Sequence, residues 1–120
     1  MNDTVDALKR SEDAALKAIG DELGLAVPPL EQATIWMQNT IPSDPIAAAS
    51  GATPYCRMFG FIAAGWLLAR SALRAKEIGH PTKVDTARFF AEQHLAPAAA
   101  LLRPVTNSVN STMAIAEEQF

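Results

Sequence analysis

Apolar positions in this chain recur at steps of three and four almost throughout, and nowhere do they alternate as a half-buried strand would. A first helix is predicted over Asp3 to Leu23, with Val5, Leu8, Ala15, Ile19 and Leu23 on its inner stripe, Asn2 or Asp3 as its cap and Gly24 at its end. Leu25 to Pro28 then reads as a connector. Pro29 suits the first position of a second helix, with Leu30, Ala33, Thr34, Met37 and Ile41 on one side. Pro42-Ser43-Asp44-Pro45 is a stop, and Asp44 before Pro45 reads as the cap of a short helix closed by Gly51.

The clearest helix is expected from Pro54, capped by Thr53, to about Ile78. Tyr55, Phe59, Ile62, Trp66, Ala69 and Leu73 form its stripe, and Met58, Phe61, Leu67 and Leu68 widen it. A helix apolar nearly all round belongs in the middle of a bundle. Gly60, Ala64 and Gly65 are small, and a glycine inside a helix costs roughly 1 kcal/mol against alanine, so a close helix crossing is expected there. Gly79-His80-Pro81 is the sharpest break. A fourth long helix follows, capped by Thr82 or Asp85, with Ala87, Phe90, Ala91, His94, Ala98 and Leu101 on one face and a kink or division near Leu95 forced by Pro97. A last short helix carries Val109, Met113, Ala116 and Phe120. The fold class is therefore all-α: an up-and-down bundle of about four main helices plus short ones. It forms a single domain over 1–120, with an amphipathic helix and connector at 1–28 and the rest of the bundle at 29–120.

Composition narrows the function more than it names it. The chain has 120 residues, 49% of them hydrophobic, and a net charge of −3; no nucleic-acid-binding pattern stands out. Charge is uneven: Met1 to Glu31 holds seven acids and three bases, while Thr53 to Asp85 carries five bases against Glu77 and Asp85. Solvated helix faces explain this, or a dipole that steers docking. One cysteine, Cys56, excludes an internal disulfide and suits a cytoplasmic location. The uncharged run Met58 to Ala69 would rise roughly 18 Å as a helix, short of a ~30 Å hydrocarbon core, so no membrane span is expected.

The chemistry-bearing residue types are sparse. His80 and His94 stand apart, with no cysteine pair, so a metal site is not expected. Cys56 reads as a small buried side chain rather than a nucleophile. The six glycines form neither a dinucleotide fingerprint nor a P-loop. Asp21 with Glu22, and Glu117 with Glu118, are solvated neighbours that point apart. Arg57 and Arg70 flank the apolar run; they either end in solvent or clamp a carboxylate or phosphate of another domain.

Three stretches carry a family resemblance. They are Pro54-Tyr55-Cys56-Arg57-Met58-Phe59-Gly60 continuing through Gly65-Trp66-Leu67-Leu68-Ala69-Arg70, then Ala87 to Ala99, then Met113 to Phe120. Together with Ala33-Thr34-Ile35-Trp36 they resemble the extra C-terminal helical domain of large acyl-CoA dehydrogenases, in particular the 3-methylmercaptopropionyl-CoA dehydrogenase type. The likeness covers about residues 30 to 120, and the first thirty match only as a generic amphipathic helix. Cys56 stands where a larger apolar residue is expected, and Phe90 where a tyrosine is usual.

The resemblance implies an oxidoreductase of fatty acyl metabolism whose FAD, acyl-CoA pocket and catalytic glutamate belong to other domains. No catalytic, cofactor-binding or metal residue therefore maps onto this chain. The implied role is an accessory module that packs on the catalytic domains or a neighbouring subunit. Arg57, Gly60, Ala64, Arg70, Phe89 and Phe90 are its candidate docking surface. The alternatives are a stand-alone helical interaction or oligomerisation protein, a homo-oligomer among them, and attachment to a membrane surface. The acidic first helix disfavours the last.

Overall fold

The computed structural model describes residues 1–119, and among these there is no strand. Four helices dominate: α1 (Asn2–Arg10), α2 (Ala14–Ser43), α3 (Pro45–Glu77) and α4 (Pro81–Phe90). A π-helical turn, Ala91–Leu95, joins α4 to the short α5 (Ala96–Ala99). After it come α6 (Leu102–Asn107), α7 (Val109–Thr112) and a 3-10 turn at Glu117–Gln119. The all-α bundle is as expected, but its helices divide at different places.

The expected first helix is two. Asp13 caps α2: its Oδ1 accepts from the backbone N–H of Ala15 at 2.9 Å and of Leu16 at 3.3 Å, while Ser11 Oγ accepts from Asp13 N–H. This local pairing ends α1 and lets it fold back on α2. Conversely, the expected connector at Leu25 to Pro28 is helix, and α2 runs unbroken through Pro28 and Pro29. Those prolines forfeit two backbone hydrogen bonds. The buried stripe of Leu16, Ile19, Leu23, Ala26, Leu30 and Ala33 nevertheless stays in phase across them. Burial of that stripe holds together a helix that local chemistry would interrupt.

The stop at Asp44 is where the sequence placed it. Asp44 Oδ1 accepts from Ala47 N–H at 3.0 Å, and Pro45 opens the next helix. That helix does not close at Gly51 and restart at Pro54; α3 is continuous. Gly51 is buried under α6, so closely that a Cβ there would collide with the carbonyl oxygen of Val105. It is a crossing point, not a terminator. Gly79 ends the next stretch, at φ +76°: the N–H of His80 bonds back to the Ala75 carbonyl at 2.8 Å and that of Gly79 to Lys76. This closure needs a left-handed residue. Neither Thr82 nor Asp85 caps α4; Pro81 opens it, after His80. The division expected at Pro97 is the π-helical turn, which absorbs the missing N–H.

Long-range pairs fix the topology. The Thr34 hydroxyl lies 3.1 Å from Tyr55 Oη, and Lys76 donates to Asp13. Both pairs bracket the Asp44 turn symmetrically, so α2 and α3 form an antiparallel hairpin. Val105 on Gly51 and Leu95 on Gly65 show α4 to α6 returning antiparallel to α3. At one end, where α1 joins in, the Trp66 indole N–H donates to Thr4 Oγ1 at 2.9 Å.

The inner stripe of α3 is not the aromatic one. Buried are Ala47, Ala48, Gly51, Met58, Ile62, Gly65, Ala69, Ala72 and Ala75. Small residues inside let α2 and α4 approach closely. Tyr55 and Trp66 stay half-buried because their polar tips need partners, here Thr34 and Thr4. Phe59, Phe61 and Leu67 are left outside. The result is a slab of 61 × 27 × 16 Å with a radius of gyration of 17.4 Å. A compact chain of this length would have about 14 Å, and a 16 Å thickness is that of two helix layers.

Candidate docking surface

In an isolated bundle, α3 would be expected to hide most of its apolar length. By length and composition it could even cross a membrane, a test that core helices also pass, yet only 28% of its most apolar eighteen-residue stretch is buried. Arg57, Arg70 and Arg74 interrupt it, and α1, α2, α4 and α6 pack along it. What remains is an open ridge.

Gly60 defines that ridge. A Cβ at this position would meet nothing within 4 Å, whereas one at Gly65 would come within 2.7 Å of Leu95 Cδ2. The small-residue crossing expected at Gly60, Ala64 and Gly65 is therefore real only at Gly65; Ala64 is half-buried and Gly60 faces outward. Cys56 is exposed and not packed. It falls on the outward turn preceding Gly60, because the inward direction is taken by Met58 and Ile62.

The structure brings some of the candidate residues together and separates others. Arg57 lies beside a hollow of about 260 Å³ shared with Phe61, His94 and Pro97. His94 is held between two rings: it stacks on Phe61 at 5.6 Å between centroids and 9° between planes, and tilts against Phe90 at 4.8 Å. Phe90 is thus half-buried as a packing residue, while Phe89 is 63% exposed on the outer side of α4. Arg70 is exposed, with its guanidinium 5.2 Å over the Trp66 ring, which leads it away from Arg57 and toward α1. That geometry is a cation–π contact, worth about 0.5–1 kcal/mol at an exposed site. Among the described residues neither arginine pairs with a carboxylate. Arg74 and Arg88 do, pairing with Glu77 and Glu92 at 2.7 Å each.

Sequence reading missed a groove of about 970 Å³ where the end of α3 meets the start of α4. Leu67, Arg74, Ile78, His80 and Lys83 belong to it. The available signal was the placement of Leu67, Arg70, Ser71 and Arg74 on one side of a helix that ends at a tight turn.

Among the described residues no cluster of three or more His, Cys, Asp or Glu could hold a metal ion. The glycines of this chain form no dinucleotide-binding fingerprint, and Gly20, Gly51 and Gly65 are each pressed against another helix.

Fold and surface thus define an all-helical bundle that leaves apolar ridges and a groove uncovered. The chain belongs to the family described as acetyl-CoA dehydrogenase C-terminal like, which it matches over residues 1–116. The match includes the first thirty residues, which on sequence alone resembled the family only generically. No curated protein and no solved structure matches it.

Proposed function

We propose that this chain is the accessory C-terminal helical module of a flavin-dependent acyl-CoA dehydrogenase of the 3-methylmercaptopropionyl-CoA type, acting in the cytoplasm and catalytically silent by itself. It packs through the outer ridge of α3 and the exposed side of α4 against the catalytic body or a neighbouring subunit. Removal of two hydrogens from the acyl-CoA thioester, with FAD as acceptor, belongs to that body. The observation that carries this reading is the open ridge at Gly60, on a helix that leaves Phe59, Phe61 and Leu67 exposed. Exposed apolar surface of this extent marks an interaction site.

The test has two arms. The purified chain alone is expected to bind no flavin and to oxidise no acyl-CoA. Offered the flavoprotein body of its dehydrogenase, it is expected to co-sediment. Gly60→Arg, which the open space at Gly60 accommodates, and Phe89→Glu are each expected to weaken that association about tenfold or more without loss of helical circular dichroism. Flavin or turnover in the chain alone, or association indifferent to both substitutions, would refute the proposal.

A further inference from the structure

Two uncovered surfaces of opposite character lie at opposite ends of the slab. The first is the groove between the end of α3 and the start of α4. Leu67, Leu68 and Ile78 give it apolar walls, and Lys83, Arg70 over Trp66, and Arg74 paired with Glu77 at its edge give it basic character; no carboxylate is among the residues that line it. The start of α4 opens into it with no side-chain cap, and free N–H groups there favour an anion. The second surface is the segment Met113–Gln119. Every residue of it is exposed, including Met113 at 59% and Ile115 at 56%. Glu117 and Glu118 follow, and no basic residue occurs after Arg103.

The segment cannot lie in the groove of its own chain. Val105 rests on Gly51, so α7 leaves the bundle near the Pro45 end of α3. At 1.5 Å per residue, Gly51 and Arg74 are roughly 35 Å apart along the helix. Seven fully extended residues reach at most about 25 Å.

We infer that the groove seats the Met113–Gln119 segment of a second copy of this chain. Met113 and Ile115 cover the apolar walls, and Glu117 and Glu118 meet the arginine and lysine groups. A two-fold dimer makes this exchange twice, each copy giving its segment and receiving the other's, which closes the assembly. Apolar contact supplies affinity, and the rim charges set orientation and register. The inference stands apart from the docking role proposed above: that role uses Gly60 and Phe89, and the experiment below contains no catalytic body.

Sedimentation of the full chain is expected to show a concentration-dependent monomer–dimer equilibrium, weakened by added salt. A chain ending at Thr112 is expected to be monomeric. Glu117→Lys with Glu118→Lys is expected to raise the dimer Kd at least tenfold. Adding Arg74→Glu and Lys83→Glu to that same chain should restore it. In case the fourfold variant folds poorly, a labelled peptide of residues 113–119 is titrated onto the chain ending at Thr112. It should bind at least tenfold more tightly than the same peptide with both glutamates changed to lysine. A full chain monomeric at all concentrations, a dimer that survives the truncation, or a peptide indifferent to charge reversal would overturn the inference.

Discussion

Gly51 and Gly60 occupy the same helix, and nothing in their local sequence tells them apart. One is pressed on the Val105 carbonyl and the other faces open space. Helix propensity alone favours alanine at both, by roughly 1 kcal/mol. At Gly51 the added Cβ must push α6 away from α3, an overpacking cost of about 1–3 kcal/mol that outweighs the gain. Gly51→Ala is therefore expected to lower the midpoint of chemical unfolding, and Gly60→Ala to raise it by about 0.5–1 kcal/mol of stability. Equal effects from the two substitutions would contradict the packing described here. Cys56 makes the same point: it stands between Tyr55 and Arg57 at the head of a largely apolar run, yet it is exposed. Burial of one residue depends on where the helix turns, which its neighbours do not fix.

Among the elements, Asp13 ties three together. It caps α2, ends α1 and receives the Lys76 ammonium from α3. The hydrogen bond from Lys76, then the backbone N–H groups of Leu16 and Ala15, hold its carboxyl below the usual aspartate range. A carboxyl whose folded pKa is depressed adds stability that is complete above its unfolded pKa and is lost as pH falls through the folded value. Thermal midpoints should thus fall on acidification below the ordinary aspartate range, and Asp13→Asn, which keeps a capping oxygen but loses the charge, should flatten that acid limb. An unchanged acid limb in Asp13→Asn would remove Asp13 from this role. The Asp13 cap was readable as Ser11-Glu12-Asp13, but the apolar period ran across it and concealed the break. At Pro28-Pro29 the error was opposite: breaker residues were present and the helix continued, because the buried stripe from Leu16 to Ala33 was worth more than two hydrogen bonds. Pro42 to Pro45, Gly79 to Pro81 and Pro97 behaved as written, since there capping and a left-handed residue agree with the packing.

At the scale of the molecule, the slab shape is what exposes the ridge and the groove. A two-layer arrangement cannot cover both sides of its longest helix, so α3 keeps Phe59, Phe61 and Leu67 outside. Small-angle scattering of the monomer, at dilution or with the chain ending at Thr112, should give a radius of gyration near the 17.4 Å of the Cα trace. A value close to the roughly 14 Å of a compact chain would mean that the open faces fold onto each other. Of the candidate surface, Phe89 was legible from its excess apolar position and lies exposed, whereas Gly60 reads as a helix crossing in the sequence and faces open space. The groove was not legible, because it joins residues from either side of the Gly79 turn.

The sequence by itself determined that the chain is helical, that it turns at Asp44 and Gly79, and that it resembles an acyl-CoA dehydrogenase C-terminal domain. Each of these rests on local chemistry: periodicity, caps, a glycine able to turn left, and residue runs read in order. Only the tertiary structure decided which face of α3 is buried, that α2 persists through two prolines, and where uncovered surface collects. Those outcomes depend on helices far apart in sequence competing for the same contacts, and the residues Gly51, Gly60 and Gly65 acquire different roles only once a neighbour has arrived.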